Sequence, residues 1–208
     1  MTINKLRVGI INYGIGNIRS LYNSIKNLDF EVDILSDPKS LKNYDKFFLP
    51  GVGSFNSAME LINKLGWENE IKENVLHNKK SIFGICLGMQ VLLSNGREHG
   101  KTSGLNLIEG EVLHLNDLGC SLQIPHIGWN EINIKKKNFF DDIPDRSNFY
   151  FVNSYVANLK SDENLIATTN YDVDFTSVIF KENIFGTQFH PEKSSKAGRQ
   201  LISNFLNA

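Results

Sequence analysis

Cys86 is the residue whose surroundings most clearly suggest chemistry. It lies between Gly84 and Gly88, after the apolar run of residues 81–85 and before a helical pattern of Leu, Met and Val that extends to residue 93. A strand, a glycine turn and a helix in this order are typical of a nucleophile elbow, here with Cys in place of Ser. The first amides of the helix, at the positive end of its dipole, would favour a thiolate and later an oxyanion. The alternative is a buried structural cysteine, since cysteine is among the most buried residue types.

A histidine and a glutamate near the C-terminus could act together with this cysteine. His190 and Glu192 flank Pro191 at the end of an apolar run, and residues two apart in an extended chain project from the same face. A carboxylate bound to one ring nitrogen leaves the other nitrogen free to exchange a proton with a thiol. A His-x-Glu sequence alone also fits a surface turn. Beside a cysteine elbow, it predicts a catalytic triad of Cys86, His190 and Glu192.

Neither the remaining histidines nor the glycine turn near the N-terminus indicates a cofactor site. The other histidines lie in no comparable setting, and we interpret them as structural or exposed: His77, His99, His114 and His126. No group of residues has the spacing of metal ligands, so no metal is expected. The glycine turn at residues 13–17 resembles the start of a dinucleotide fingerprint, but it lacks the third glycine and a well-placed acidic residue.

Alternating strand and helix patterns would position the predicted triad. Apolar strand patterns at residues 6–11, 30–35, 46–49 and 81–85 alternate with helical patterns at 18–28 and 55–65. This alternation predicts an α/β fold with a mainly parallel, doubly wound sheet. Sites in such sheets lie at the carboxyl ends of the strands, where Gly14, residues 50–53 and Cys86 would fall.

After Gly104 the strand patterns in the sequence become shorter. Shorter strand patterns occur at residues 107–115, 129–134, 149–155, 165–169, 175–180 and 184–189, followed by a helical pattern at 197–206. We expect these strands to extend the sheet by antiparallel pairing. There is no repeat or plausible linker, so residues 1–208 are predicted to form one domain.

The length, charge and cysteine content of the chain limit the classes of function that it can have. The chain has 208 residues, 41% of them hydrophobic, and a net charge of −1, which predicts one well-buried core and no electrostatic attraction to nucleic acid or an anionic membrane. No apolar stretch approaches the roughly 20 residues of a membrane span, and the N-terminal residues lack a signal peptide's apolar segment. Because there are only two cysteines, no disulfide framework is expected. A cytoplasmic, reduced protein is the simplest prediction.

Several motifs resemble a known family. Gly-Ile-Cys-Leu-Gly-Met-Gln at residues 84–90 and Gln-Phe-His-Pro-Glu-Lys-Ser at residues 188–194 are similar to the class I, triad-type glutamine amidotransferases. Residues 12–20, 49–55, 125–130 and 150–152 resemble one branch of that family, the glutaminase subunits of imidazole glycerol phosphate synthase. The resemblance covers almost the whole chain. It implies a flavodoxin-like three-layer sandwich and no cofactor.

The resemblance implies a role for each member of the triad. Cys86 would attack the side-chain amide of glutamine and form a glutamyl thioester. His190, oriented by Glu192, would pass the thiol proton to the leaving ammonia and then activate water. The implied oxyanion hole consists of the Leu87 amide and an amide of the strand that contains Val52 and Gly53. A peptide flip in that strand would couple glutaminase activity to a partner, although a plain glycine turn is the local alternative.

Further residues would bind the substrate and the partner. The substrate-binding residues implied by the family are Gly51, Gln90, Glu98, Ser154 and Tyr155, although residues 95–100 depart from the usual acidic loop. The partner would be a (β/α)₈-barrel cyclase that forms a heterodimer and receives the ammonia directly. The implied interface comprises Asn17, Trp129, Asn130, Tyr150 and Lys193. Ordinary core packing is the local alternative for the two aromatic residues.

One position departs from the family pattern. Asn153 stands where the family usually has His, and an amide cannot change its charge near neutral pH as an imidazole does. The triad is unaffected, but the ammonia acceptor could then be a sugar-amidating synthetase of surface-polysaccharide biosynthesis instead of a cyclase. Two other classes also fit part of the pattern: a regulatory subunit with a silent site, and a stand-alone cysteine hydrolase.

Overall fold

Short apolar runs form the strands at the centre of the fold, as expected where helices cover both faces of a parallel sheet. The structure, a computed structural model, describes residues 6–208. The strands of this range are β1 (Val8–Ile11), β2 (Val32–Leu35), β3 (Lys46–Gly51), β4 (Ser81–Cys86), β5 (Leu93–Gly96), β6 (Thr102–Ser103), β7 (Ile108–His114), β8 (His126–Glu131), β9 (Asn133–Ile134), β10 (Asn148–Asn153), β11 (Tyr155–Leu159), β12 (Leu165–Tyr171), β13 (Val173–Lys181) and β14 (Ile184–Thr187). The α-helices are α1 (Ile18–Lys26), α2 (Phe55–Lys64), α3 (Trp67–Lys72), α4 (Leu87–Val91) and α5 (Ser195–Asn207).

The main sheet combines a parallel half with a largely antiparallel half. Strands β2, β1, β3, β4 and β14 lie side by side in that order, and every pairing among them is parallel. The sheet continues through β13, β11, β7, β5 and β6, and β12 joins it by pairing with β13 and β9. The predicted α/β fold, with parallel strands extended by antiparallel ones, is confirmed. The carboxyl ends of β3, β4 and β14 therefore meet at one edge.

Two apolar clusters cover the two faces of this sheet. On one face, α1 and α5 bury Leu21, Ile25 and Leu201 against the strands. On the other face, α2 and α3 bury Ile62 and Trp67. Because burial of apolar surface is the main stabilising contribution to folding, the helices are held on both sides, and the expected three-layer sandwich is confirmed.

Two segments that were each predicted as one strand form two strands with different pairing partners. Residues 129–134 contain the end of β8 and then β9, and residues 149–155 contain most of β10 and the start of β11. Strands β8 and β10 pair with each other in a separate antiparallel sheet, called here the small sheet. The chain leaves the small sheet at Ser154 and enters the main sheet with Tyr155. The local sequence pattern does not show where the pairing partner changes, so this break was not predicted.

The helices also differ from the sequence-based expectation. The helix predicted to reach residue 93 ends at Val91, and Leu93 already belongs to β5. No helix was predicted between residues 65 and 81, yet α3 lies there and continues as one π-helical turn, Glu73–His77. The signal was present, since Trp67, Ile71 and Val75 recur at helical spacing and all three are buried.

A buried lysine fixes the C-terminal helix to the edge of the core. Lys46 lies at the start of β3 and is 8% exposed. Its ammonium group donates hydrogen bonds to the carbonyl oxygens of Phe205 and Ala208 at 2.7 Å and of Leu206 at 3.1 Å. Phe205 and Leu206 belong to the last turn of α5 and Ala208 follows it directly, so the cation is also favoured by the helix dipole.

We expect the substitution Lys46→Met to lower the free energy of unfolding by about 1–3 kcal/mol, because it removes charge-assisted hydrogen bonds and leaves buried carbonyls unpaired. Urea denaturation at neutral pH measures the change. Lys160→Met is the matched control. Lys160 forms an exposed ion pair with Glu109, so its loss should change the free energy of unfolding far less than the loss of Lys46. Equal effects of the two substitutions would contradict the assignment.

Candidate active site

Cys86 lies at a sharp turn between β4 and α4. Its backbone has φ 55° and ψ −112°, a conformation outside the regions that residues with a Cβ ordinarily occupy. Close packing requires both flanking glycines. A Cβ at Gly88 would lie 1.7 Å from the carbonyl oxygen of Leu49, and one at Gly84 would lie 2.6 Å from the carbonyl oxygen of Gly88. The turn is thus pressed against β3, which holds the strained cysteine in place.

The histidine and glutamate meet in a buried hydrogen bond. His190 Nδ1 lies 2.8 Å from Glu192 Oε1, and the two side chains are only 2% and 3% exposed. The local conformation differs from the extended chain that we predicted, because residues Pro191–Lys193 form a 3₁₀ turn. Ser194 stabilises this turn: its hydroxyl donates to the His190 carbonyl and accepts a hydrogen bond from the Tyr150 amide.

The surroundings of His190 suit proton exchange with a thiol. Burial by itself lowers the pKa of the imidazole, but the neighbouring Cys86 and Glu192 outweigh this effect and raise the pKa above its ordinary value. Since Glu192 accepts the Nδ1 proton, the other ring nitrogen is directed elsewhere. Nε2 is buried and has no hydrogen-bond partner in the described residues. His190 lines the same cleft as Cys86, so this nitrogen is the one that can accept or return a proton there.

A cleft of about 340 Å³ opens above these residues, within the range of small-molecule sites. It is lined by Val52, Gly53, Cys86, Leu87, Gln90, Glu98, Pro125, Val152, Asn153, Ser154, Tyr155 and His190. The structure therefore gathers most of the residues predicted for catalysis, the oxyanion hole and substrate binding. Two do not line the cleft. Glu192 lies behind His190, and Gly51 is buried at the end of β3.

The strand predicted to supply an oxyanion donor runs beside the nucleophile. Gly51 is the register partner of Cys86 in the pairing of β3 with β4, so the next two residues reach the cleft. Val52 is 41% exposed, and Gly53 has φ 104°, a conformation that favours glycine. On the other side of Cys86, Leu87 begins α4. This helix has only five residues, so the individual amides matter more than the macrodipole that we expected.

The predicted substrate-binding side chains are fixed by hydrogen bonds. Glu98 Oε2 accepts a 2.7 Å hydrogen bond from the Phe55 amide, which ties the loop after β5 to the start of α2. Gln90 donates to the Tyr155 carbonyl at 2.9 Å. Ser154 and Tyr155 lie where the chain passes between the two sheets, and both line the cleft. The site can therefore present both a carboxylate and backbone polar groups to a ligand.

Three of the five predicted interface residues lie together. On the small sheet, Trp129 is the register partner of Tyr150, and their ring centroids are 6.2 Å apart. Lys193 Nζ lies 5.5 Å from the centroid of the Tyr150 ring. Trp129 is 52% exposed, so it is not the core residue that local sequence would favour. Asn17 is half-buried and immediately precedes α1.

Asn130 points to the opposite face of the small sheet from Trp129, as adjacent residues of a strand do. Its side chain donates a 2.9 Å hydrogen bond to the Asn170 carbonyl and lies 3.3 Å from the ring of His126. His126 is itself buried and stacked on Tyr171, and burial lowers its pKa. Of the two expectations for His126, structural or exposed, its burial agrees with the first, and the Asn130 side chain supports the small sheet from within.

Gln188 is a site residue that was not predicted from the sequence. Gln188 is fully buried, and its Nε2 lies 3.6 Å from Cys86 Sγ. The spacing was a partial signal, because Gln188 precedes His190 by two residues at the end of a predicted strand, where such residues face the same side. It could not show that the Gln188 amide reaches the sulfur. Asn153 was noted only as a departure, yet it lines the cleft and is 6% exposed.

Two further features of residues 6–208 bear on other classes of function. No group of three or more His, Cys, Asp or Glu side chains in this range is placed to hold a metal ion. None of the helices in the same range combines the length and apolar character needed to cross a membrane.

Comparison with known proteins gives the same class as the geometry. Residues 9–208 match the family described as glutamine amidotransferase class-I. A solved structure described as a glutamine amidotransferase superposes with a TM-score of 0.76 at 18% identity, covering 96% of this chain and 97% of that chain. Another, of PurLQS from Thermotoga maritima, gives 0.75 at 18% identity and covers 98% of each chain. The chain belongs to the class I glutamine amidotransferase family.

More similar relatives come from one branch of this family. The imidazole glycerol phosphate synthase subunit HisH 2 of Methanococcus maripaludis is 40% identical, over 96% of this chain and 98% of its own length. The subunit HisH of Pelagibacter ubique is 41% identical, over 97% of this chain and its full length. The subunit HisH 1 of Campylobacter jejuni strain RM1221 is 42% identical, over 96% and 98%.

We expect Glu192→Gln to lower kcat for glutamine hydrolysis by about 10³–10⁴-fold, because the amide no longer fixes the imidazole tautomer or stabilises its charge. The carboxylate helps to raise the pKa of His190. Its removal should therefore lower that pKa, and the alkaline limb of the pH profile of kcat/KM should move to lower pH. Glutamate release measured as a function of pH tests both effects.

Glu182→Gln is the matched control for this prediction, since Glu182 is an exposed residue paired with Lys79. Its profile should coincide with that of the wild type. Retention of kcat within about tenfold by Glu192→Gln would exclude the carboxylate from the catalytic arrangement.

Proposed function

We propose that this chain is the glutaminase subunit of imidazole glycerol phosphate synthase. It hydrolyses glutamine to glutamate and ammonia and passes the ammonia to a partner cyclase in histidine biosynthesis. The observation on which this rests is a strained cysteine in one cleft with a histidine that a buried glutamate holds through Nδ1. Relatives about 40% identical over nearly the whole chain carry the name of this subunit.

The reaction begins at Cys86. Its thiolate attacks the side-chain amide carbon of glutamine, and the oxyanion is held by the Leu87 amide and by an amide of the Val52–Gly53 segment. His190 gives the thiol proton to the amide nitrogen, so the C–N bond breaks, ammonia leaves and a glutamyl thioester remains. His190 then takes a proton from water, which hydrolyses the thioester and restores the thiol. Glu192 keeps the imidazole in the required tautomer.

Binding of the substrate uses both ends of the amino acid. Glu98 receives the α-ammonium group, since a carboxylate in a cleft is a suitable partner for a cation. Backbone groups of Ser154 and Tyr155 hold the α-carboxylate, and Gln90 borders the side chain of the substrate. Gly51 contributes through close packing beneath the cleft. It lets β3 approach the elbow, where a Cβ would lie 2.5 Å from the Tyr13 hydroxyl.

The partner is a (β/α)₈-barrel cyclase subunit that docks on the exposed face of the small sheet. That face presents Trp129 and Tyr150, with Lys193 beside them, and Ile127 is 60% exposed next to Trp129. Asn17 extends the contact near α1, and Asn130 supports the strand from behind. Pro125 and Val152 of the same region line the cleft, so a protein docked here would receive ammonia before it reaches water.

Residues 1–208 act as one amidotransferase domain and need no cofactor, because the thiol, the imidazole and the backbone amides supply all the chemistry. We place the protein in the cytoplasm. Its proposed nucleophile is a free thiol that must stay reduced, and the cytoplasm keeps thiols in that state.

A second candidate acceptor is favoured by Asn153. This residue lines the cleft in place of the histidine that is usual in the family, and its amide cannot take up a proton near neutral pH. A synthetase that amidates a sugar for surface polysaccharide would then receive the ammonia. The glutaminase chemistry is the same for both acceptors, so only the partner distinguishes them.

Glutamate release from glutamine tests the proposal, with the chain alone and with the organism's cyclase barrel plus its nucleotide substrate. We expect weak activity alone and a rise of about 10²–10³-fold in the complex, the effect of gaining one oxyanion donor. The control Cys86→Ala should abolish the activity under both conditions.

The other outcomes are equally informative. Activity that ignores the cyclase but rises with a sugar-amidating synthetase would assign the chain to the second candidate. Full activity without any partner would indicate a stand-alone hydrolase. Glutamate release that does not depend on Cys86 would refute the glutaminase assignment altogether.

A further inference from the structure

Gln188 lies between the nucleophile and the substrate-binding residues without exposure to solvent. Its Nε2 is 3.6 Å from Cys86 Sγ, and its Oε1 is 3.0 Å from Gln90 Nε2. Gln90 Nε2 also donates to the Tyr155 carbonyl at 2.9 Å. A continuous chain of amide groups thus joins the backbone of Tyr155 to the sulfur of Cys86.

The orientation of the two side-chain amides, Gln90 and Gln188, is determined by the Tyr155 carbonyl, which anchors this series of hydrogen bonds. The Tyr155 carbonyl can only accept hydrogen bonds, so Gln90 must present its nitrogen there. The second N–H of the same nitrogen donates to Gln188, which must therefore present its oxygen to Gln90. The Gln188 nitrogen is then left facing the sulfur. If the Gln188 amide were reversed, two N–H groups would face each other inside the protein, at the cost of an unsatisfied buried pair.

The anchor itself is well held. The Tyr155 carbonyl accepts a second hydrogen bond, from Asn153 Nδ2 at 3.3 Å, and Tyr155 begins β11, which is paired with β7. On the side of Gln188, the backbone amide donates to the Ser177 carbonyl at 2.9 Å. Both ends of the chain of amides are therefore fixed by strands, and only the sulfur is free to change its charge.

We infer that Gln188 is a positioning residue for the nucleophile: it presents an N–H donor to the Cys86 sulfur, and Gln90 and the Tyr155 carbonyl fix its orientation. This inference deepens the proposed function and rests on it. A donor facing the sulfur stabilises the thiolate over the thiol. The Gln188 amide would do this beside His190, which lines the same cleft and exchanges a proton with the sulfur under the proposed function.

The same arrangement links substrate binding to the state of the nucleophile. Under the proposed function, Ser154 and Tyr155 hold the carboxylate of glutamine, and Tyr155 is also the anchor of the amide chain. A glutamine bound there would hold the anchor in place, and through Gln90 it would hold the donor that faces the sulfur. Binding and activation would thus share one set of hydrogen bonds.

The pH dependence of Cys86 alkylation by iodoacetamide tests this inference without requiring glutamine hydrolysis or a partner. A Cys120→Ser background leaves one cysteine to react, and mass spectrometry locates the modification. In Gln188→Met, which keeps the length of the side chain but has no N–H donor, we expect the midpoint of the alkylation profile to rise by about one pH unit, as for loss of one hydrogen bond to a charged group.

Other titratable groups near the sulfur are unchanged in this variant. They are His190, Glu192 behind it, Glu98 across the cleft, and Tyr13, whose pKa is raised by burial and by Cys86. The matched control is Gln200→Met. Gln200 lies on α5 and bonds only to Asn204 among the described residues, so its midpoint should equal that of the wild type.

Two further variants guard against an effect of lost packing. Gln188→Glu keeps the volume and the acceptor for Gln90 but turns an oxygen towards the sulfur, so the midpoint should rise at least as far as in Gln188→Met. Gln90→Met leaves the Gln188 amide free to turn, and a shift in the same direction is expected. Midpoints equal to that of the wild type in folded Gln188→Met or Gln188→Glu would overturn the inference. A clear shift of the alkylation midpoint, together with no glutaminase activity of the wild type alone or with either partner, would support the inference about Gln188 but refute the proposed function.

Discussion

The approach of the elbow to β3 is the contact on which the rest of the site depends. Gly88 lies so close to the Leu49 carbonyl that any Cβ there would overlap it, and this contact holds Cys86 in a conformation that costs about 1–3 kcal/mol. Strand β4 resists relaxation because it is hydrogen-bonded on both sides, to β3 and to β14. The strain is therefore supported by the centre of the sheet.

The parallel pairing of β4 with β14 brings the remaining chemistry to the sulfur. Gly186 and Thr187 are the register partners of Gly84 and Ile85, so the residues that follow β14 emerge next to the elbow. Gln188 and His190 project towards it, and Glu192 closes the 3₁₀ turn behind them. Burying an ionisable pair of this kind seldom adds stability, because desolvation offsets the attraction. The pair is better explained by the orientation that it gives to the imidazole.

The small sheet connects this chemistry to a surface. Its inner face packs His126 and Phe151 against the core, whereas its outer face exposes Ile127 and Trp129. The chain leaves the small sheet at Ser154, and the break supplies the backbone that borders the cleft. Under the proposed function, one short element therefore holds the carboxylate of glutamine on one side and a partner on the other.

Much of this protein could be predicted from its sequence. The α/β class, the strand that ends at Cys86 and the glycines around it are local features, because apolar periodicity and turn chemistry depend on neighbouring residues. Tertiary structure alone decided the 3₁₀ turn at Pro191, the short α4, the division of residues 149–155 between two sheets and the contact of Gln188 with a sulfur 102 positions away in the sequence. These features depend on which strands pair and how closely they pack, and such long-range contacts leave no periodic signal in the sequence.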